Sequence, residues 1–134
     1  MAITGGCYCR ALRYESAAPM FKGLCFCREC QQVSGGAGNL FMVVAGDAFK
    51  YTQGAPKGFT RTDIENPVTR EFCAECGTGI LTRTPRNPDN LILKAGTLDD
   101  PGVYDAVQLV LFTSEKQPHH IVPEGARAFE KFPG

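Results

Sequence analysis

The sequence predicts a mainly β fold of short antiparallel strands with little helix, organised as one domain over residues 1–134. Three observations predict it. Short runs that alternate with a period of two, or are wholly apolar, recur between Gly and Pro turns. Only one stretch, six residues long, reads as helix. Seven cysteines fall into tight clusters with metal-ligand spacing, and bound metal supplies folding energy that strands this short lack.

Taken in order, Leu12-Arg-Tyr14-Glu-Ser16 alternates apolar and polar, as a half-buried strand does. Arg28 to Val33 fits one or two helical turns, stopped by Ser34-Gly35-Gly36. Leu40-Phe-Met-Val-Val44, between Gly38 and Gly46, suits a buried strand. Phe49-Lys-Tyr51-Thr alternates again and ends at Gly54 and Pro56. Thr69-Arg-Glu-Phe72, Gly79-Ile-Leu-Thr82, Leu91-Ile-Leu-Lys-Ala95 and Val107-Gln-Leu-Val-Leu-Phe112 complete the set. Leu98-Asp-Asp-Pro101 reads as a turn, with Asp99 and Asp100 shaping it through side-chain bonds to backbone. Ser34 to Gly38 is Gly-rich without Walker or dinucleotide spacing, and reads as a flexible loop.

Bulk composition narrows the function. Fourteen basic and fourteen acidic side chains cancel, which argues against a nucleic-acid or membrane-surface partner. Met1 to Cys7 has neither a basic nor an apolar leader segment, and no apolar run approaches the roughly 20 residues of a membrane helix. The expected location is cytoplasmic, where thiols stay reduced.

The cysteines are Cys7-Tyr-Cys9, Cys25-Phe-Cys27-Arg-Glu-Cys30 and Cys73-Ala-Glu-Cys76. Seven is odd, and a bridge inside a C-x-C unit would close a strained ring, so a disulfide framework is disfavoured. Gly5 and Gly6 before Cys7, and Gly77 after Cys76, let backbone amides turn toward sulfur. That favours Cys7, Cys9, Cys73 and Cys76 as one closed, four-thiolate, structural zinc site. Its formal charge of −2 invites compensation by Arg10 and Arg70. The triplet Cys25, Cys27 and Cys30 is left with one coordination position free, where zinc would turn a bound thiol into a thiolate nucleophile. The alternative is a second structural site closed by His119 or His120; that adjacent pair, beside Pro118 and Pro123, reads rather as surface. Arg83, Arg86 and Lys94 could bind an anion, but a solvated face is the simpler account.

At Gly5-Gly-Cys7-Tyr-Cys9, Cys25-Phe-Cys27-Arg-Glu-Cys30, Phe72-Cys73-Ala-Glu-Cys76-Gly77-Thr78 and Ala95-Gly-Thr-Leu98-Asp-Asp-Pro101, the chain resembles the glutathione-dependent formaldehyde-activating enzymes. Centromere protein V-type domains share this pattern. The similarity runs from about Gly5 to Pro133. It implies a zinc-bearing β-tent fold, with a structural zinc on Cys7, Cys9, Cys73 and Cys76. It implies a second zinc on Cys25, Cys27 and Cys30, at which glutathione and formaldehyde condense to S-(hydroxymethyl)glutathione, a carbon–sulfur lyase reaction in reverse. Three features depart from the family pattern: Phe26 stands where His is usual, Gln31-Gln32 where a basic pair is usual, and Pro118-His119-His120 where Trp is common. Gln31, Ser34 and Asn39 are the polar residues expected to orient the substrate. The alternative is a non-catalytic zinc-binding module that carries a thiol adduct or contacts another protein.

Overall fold

The computed structural model describes residues 2–133. Eleven strands are β1 (Ala2–Gly6), β2 (Arg13–Ala17), β3 (Phe21–Cys25), β4 (Asn39–Ala45), β5 (Phe49–Gln53), β6 (Lys57–Thr60), β7 (Thr69–Phe72), β8 (Gly79–Arg83), β9 (Asn90–Lys94), β10 (Leu109–Leu111) and β11 (Arg127–Ala128). The one α-helix, α1 (Arg28–Val33), has the expected bounds. The architecture is mainly β, as the sequence predicts.

The strands form two sheets. One has the order β1-β2-β5; the other has the order β11-β10-β3-β4-β9-β8-β7-β6. The large sheet is mixed rather than purely antiparallel, because β10 runs parallel to both β3 and β11. No helix among the described residues is long and apolar enough to cross a membrane.

Alternation along β4 explains the layering. Met42 and Val44 point to one face of the large sheet and meet Ile3, Leu12, Tyr14, Leu81, Leu91 and Leu93, forming the core shared with the small sheet. Met42, Val44 and Leu93 are fully buried, and burying such a side chain contributes about 1.5–3 kcal/mol. Phe41 and Val43 point to the opposite face and pack with Cys25, Cys30, Leu109 and Leu111.

That second face positions the triplet. Residues paired directly across a sheet lie on the same face. The register pairs Cys25 with Asn39, Phe41 with Lys94, and Val43 with Ile92. Ile92 pairs with Thr82, Thr82 with Arg70, and Arg70 with Phe59. One face therefore carries Cys25, Asn39, Lys94 and Arg70 across four strands, in the same layer as α1.

A single turn at Ala95–Thr97 leads from β9 to the small sheet. The Tyr14 and Thr97 hydroxyls lie 2.8 Å apart, Asp99 N donates to Thr4 O, and Gly5 bridges Leu98. Asp100 Oδ1 caps the following turn by accepting from Gly102 N, as expected. Asp99 does something else: its carboxylate accepts from the Arg13 guanidinium and from Thr4 Oγ1.

Candidate metal centres

The four-cysteine group closes the gap between the two sheets. Cys7 and Cys9 follow β1, while Cys73 and Cys76 form the turn between β7 and β8. Backbone bonds shape both turns: Arg10 N donates to Cys7 O, and Gly77 N donates to Cys73 O. Tyr8 N donates to Thr78 Oγ1 and ties one turn to the other. The four sulfurs lie within 4.8 Å of one another. Cys7 to Cys9 and Cys9 to Cys73 are each 3.7 Å. A tetrahedron with Zn–S bonds of about 2.3 Å has edges of about 3.8 Å, so these residues fit zinc. A disulfide would need about 2.05 Å.

Donors surround these sulfurs. Leu12 N lies 3.2 Å from Cys7 Sγ and Glu75 N 3.4 Å from Cys73 Sγ. The Thr78 hydroxyl, the Thr78 and Cys9 amides and the Cys9 thiol lower the Cys76 thiol to about 5. A nearby cation is Arg13, which feels the Cys7 charge. Arg70, expected here, lies at the other centre.

The triplet spans the end of β3 and the start of α1. Cys27 is the helix N-cap, and its sulfur accepts from Cys30 N at 3.4 Å. The sulfurs of Cys25, Cys27 and Cys30 lie within 4.8 Å of one another, and no fourth ligand joins them among the described residues. This donor set also fits zinc, with a position to spare. Bonds from the Cys25 and Cys30 thiols, the Cys30 amide and the Arg70 charge push Cys27 down to about 2. The same bond to Cys27 raises Cys25 to about 12, and its two neighbours raise Cys30 strongly.

His120 is buried, contrary to the expectation of a surface pair, whereas His119 is exposed. Both ring nitrogens of His120 are occupied. Gln117 N donates to Nδ1 at 2.8 Å, which leaves Nε2–H to donate to Gly36 O. The ring stacks on Phe26 at 4.5 Å and 18°. It thus pins the glycine loop over the residue between Cys25 and Cys27. Gly38 ends that loop with φ of +97°, and a Cβ there would sit 2.9 Å from the Phe26 ring.

The three expected substrate residues sit differently. Gln31 is buried, and its Nε2 donates to Phe26 O at 2.7 Å and Glu115 O at 2.8 Å. Its Oε1 accepts from Arg28 Nη1, so both ends of the amide are engaged inside the protein. Ser34 Oγ accepts from Gly38 N at 3.0 Å and closes the glycine loop. Asn39 Oδ1 accepts from Lys94 Nζ at 2.8 Å.

Two cations beside the triplet went unforeseen. Lys94 is half-buried rather than part of a solvated face. Burial lowers its ammonium pKa; the Cys30 charge opposes that shift and the Arg70 charge adds to it. Arg70 Nη2 lies 3.2 Å from Glu29 Oε1. The other two members of the expected cation face lie elsewhere: Arg83 pairs with Glu71 at 2.6 Å, and Arg86 stacks 3.8 Å over Phe132. A charged residue inside the apolar run Leu91 to Ala95 was the available sign.

Seven thiols gathered into a group of four and a group of three, on a mainly β frame, define two candidate metal centres. The chain belongs to the glutathione-dependent formaldehyde-activating enzyme family, whose pattern matches residues 2–115. A Halomonas elongata protein named "Putative glutathione-dependent formaldehyde-activating enzyme" is 27% identical over 143 residues, covering 100% of this chain and 88% of that protein. A crystal structure of a Rhodobacter sphaeroides protein shares the fold with a TM-score of 0.64 at 17% identity, covering 78% of this chain and 97% of the other.

Proposed function

We propose that this is a cytoplasmic two-zinc enzyme that adds glutathione, or a similar small thiol, to formaldehyde or a related small aldehyde. In this reading Cys7, Cys9, Cys73 and Cys76 hold a structural zinc, and Cys25, Cys27 and Cys30 hold the second. The product is S-(hydroxymethyl)glutathione, and the reverse reaction is a carbon–sulfur lyase. One observation carries the reading: three sulfurs converge without a fourth ligand among the described residues, while the nearby imidazole of His120 is engaged with Gln117 and Gly36. Family membership supports glutathione and formaldehyde as the reactants. When bound at the triplet, zinc would supply a Lewis acid that lowers the pKa of a thiol ligand, so that the thiol proton passes to water at neutral pH.

The chain's own residues bind and orient. Lys94 and Arg70 place positive charge beside the sulfur cluster, which favours a thiolate over a thiol there. Asn39 holds Lys94 in place, Ser34 closes the loop above Cys25, and Gln31 fixes α1 and with it Cys27 and Cys30. In the addition, the sulfur lone pair forms the C–S bond, the carbonyl π pair moves to oxygen, and that oxygen takes up one proton. No oxidant or reductant is required.

Exchange NMR on glutathione and formaldehyde tests the reading, because the reaction also proceeds unassisted. The zinc-loaded protein is expected to raise the exchange rate above the protein-free background, saturably in glutathione. Cys27→Ser is expected to keep the fold and lose the acceleration. A rate equal to background with two zinc ions bound would overturn the enzyme reading in favour of a non-catalytic zinc module.

A further inference from the structure

We propose that Lys94, together with Arg70, binds a carboxylate of the incoming thiol, so that the second centre selects thiols that carry a carboxylate. This rests on the reading that the triplet accepts a thiol.

The placement comes from the sheet register. Lys94 lies opposite Phe41, which packs with Cys25 and Cys30, and Lys94 Nζ bonds Asn39, the cross-strand partner of Cys25. Arg70 shares that face through Thr82 and Ile92. The segment after the triplet, Gln31-Gln32, brings no cation of its own. Positive charge reaches the centre from β7 and β9 instead.

Lys94 is also incompletely satisfied. An ammonium has three donors, and the one recorded side-chain partner is the neutral Asn39 oxygen. Among the described residues Arg13, Lys22, Lys50, Arg61, Arg70 and Arg83 each pair with at least one carboxylate; of the cations that do not, Lys94 is half-buried and the rest are exposed. The fold makes room for this lysine: a Cβ on Gly79 would come within 2.8 Å of Lys94 Cε. Among the described residues Glu29 is the one carboxylate that pairs with Arg70, and Arg61 shares it, so the five-donor fork of Arg70 keeps capacity. Two neighbouring cations, one half-buried without a counter-ion, are unfavourable until an anion arrives.

Space for the rest of such a ligand lies beside Arg70. A cavity of about 170 Å³ is lined there by Val33, Phe59, Ile64 and Val68 together with Glu29 and Arg70. Val33, Phe59 and Ile64 are among the large apolar side chains left exposed. A thiol that carries its carboxylate several bonds from the sulfur, with further atoms beyond, as glutathione does, matches this order of sulfur site, cations and apolar hollow.

The test is a titration of the cobalt-substituted, two-metal protein with glutathione and with glutathione diethyl ester, followed by the visible cobalt–thiolate bands. The ester keeps the thiol and loses both carboxylates. Glutathione is expected to saturate at a concentration about tenfold or more below the ester, the size of one charge-assisted hydrogen bond. Lys94→Met is expected to bring the affinity for glutathione down toward that for the ester. Should that variant fail to hold two cobalt ions, the comparison of acid and ester on the unaltered protein decides alone. Equal affinities there overturn the proposal and leave the two cations as counter-charge for the metal–thiolate cluster. Bands that neither thiol moves overturn the open position itself, and this proposal with it.

Discussion

Replacing Gln31 with Leu separates two roles for a residue beside the triplet. If the side chain served mainly to touch substrate, its loss would lower glutathione affinity and leave stability alone. The structure predicts the reverse. Gln31 Nε2 donates to Phe26 O at 2.7 Å and to Glu115 O at 2.8 Å, and Leu removes both donors while keeping an apolar body of similar size. Phe26 O is buried, so leaving it without a donor costs about 1–3 kcal/mol. Glu115 O is only part-buried and regains water, which holds its share to about 0.5–1 kcal/mol. The sum is about 1.5–4 kcal/mol. For a chain of this length each kcal/mol moves the melting temperature by about 3–5 °C, so a fall of about 10 °C is expected. The assay is thermal unfolding by circular dichroism at fixed zinc, with the metal content measured before heating. Two zinc ions should remain bound at 25 °C, because no ligand has changed. A melting temperature within about 2 °C of the parent would refute this reasoning. Unchanged stability with weakened glutathione binding would return Gln31 to the substrate.

His120→Ala removes the stack on Phe26 and the bonds to Gln117 N and Gly36 O. It should cost about 1–3 kcal/mol by denaturant unfolding while the zinc stoichiometry measured by mass spectrometry stays at two; a loss of one zinc would make His120 a ligand. Cys73→Ser falls on a fully buried ligand of the four-cysteine group and is expected to abolish cooperative unfolding, whereas Cys27→Ser should still melt cooperatively with one zinc; the two melting curves side by side check this. Asp99→Asn tests the link between the sheets. The Arg13 guanidinium and Thr4 hydroxyl hold the Asp99 carboxyl below its ordinary 3.8, so its contribution is present above that value and is lost as pH falls through the lower folded value. With the carboxylate 41% exposed, screening limits the effect to about 0.5–1 kcal/mol at pH 7. Melting curves of parent and variant should differ at pH 7 and converge in strong acid; a constant gap would contradict the assignment.

The sequence by itself determined whatever is encoded locally. The helix Arg28–Val33 was legible because a serine–glycine run ends it, while its N-cap, the Cys27 sulfur, emerged only in the structure. The strand Leu40 to Val44 was legible from its unbroken apolar run. The two cysteine pairs and the triplet were legible because each sits in a turn a few residues long, where spacing brings sulfurs together, whereas the meeting of Cys9 with Cys73, 64 residues on, is long-range. Strand Phe21–Cys25 was missed because Gly23 interrupts its pattern and its last residue belongs to the triplet; the close-packed Phe41 ring explains that glycine. Strand Lys57–Thr60 was missed because every residue is exposed, which leaves no periodicity to read. The surroundings of the triplet were decided only by tertiary structure. Arg70 and Lys94 stand far from the triplet in sequence and reach it through pairing across β3, β4, β9, β8 and β7, and His120 arrives from beyond β10. A one-residue slip in any of those pairings would turn the cations to the other face of the sheet. Ligand spacing is a property of a short segment of chain, whereas the charge around the ligands is a property of long-range register.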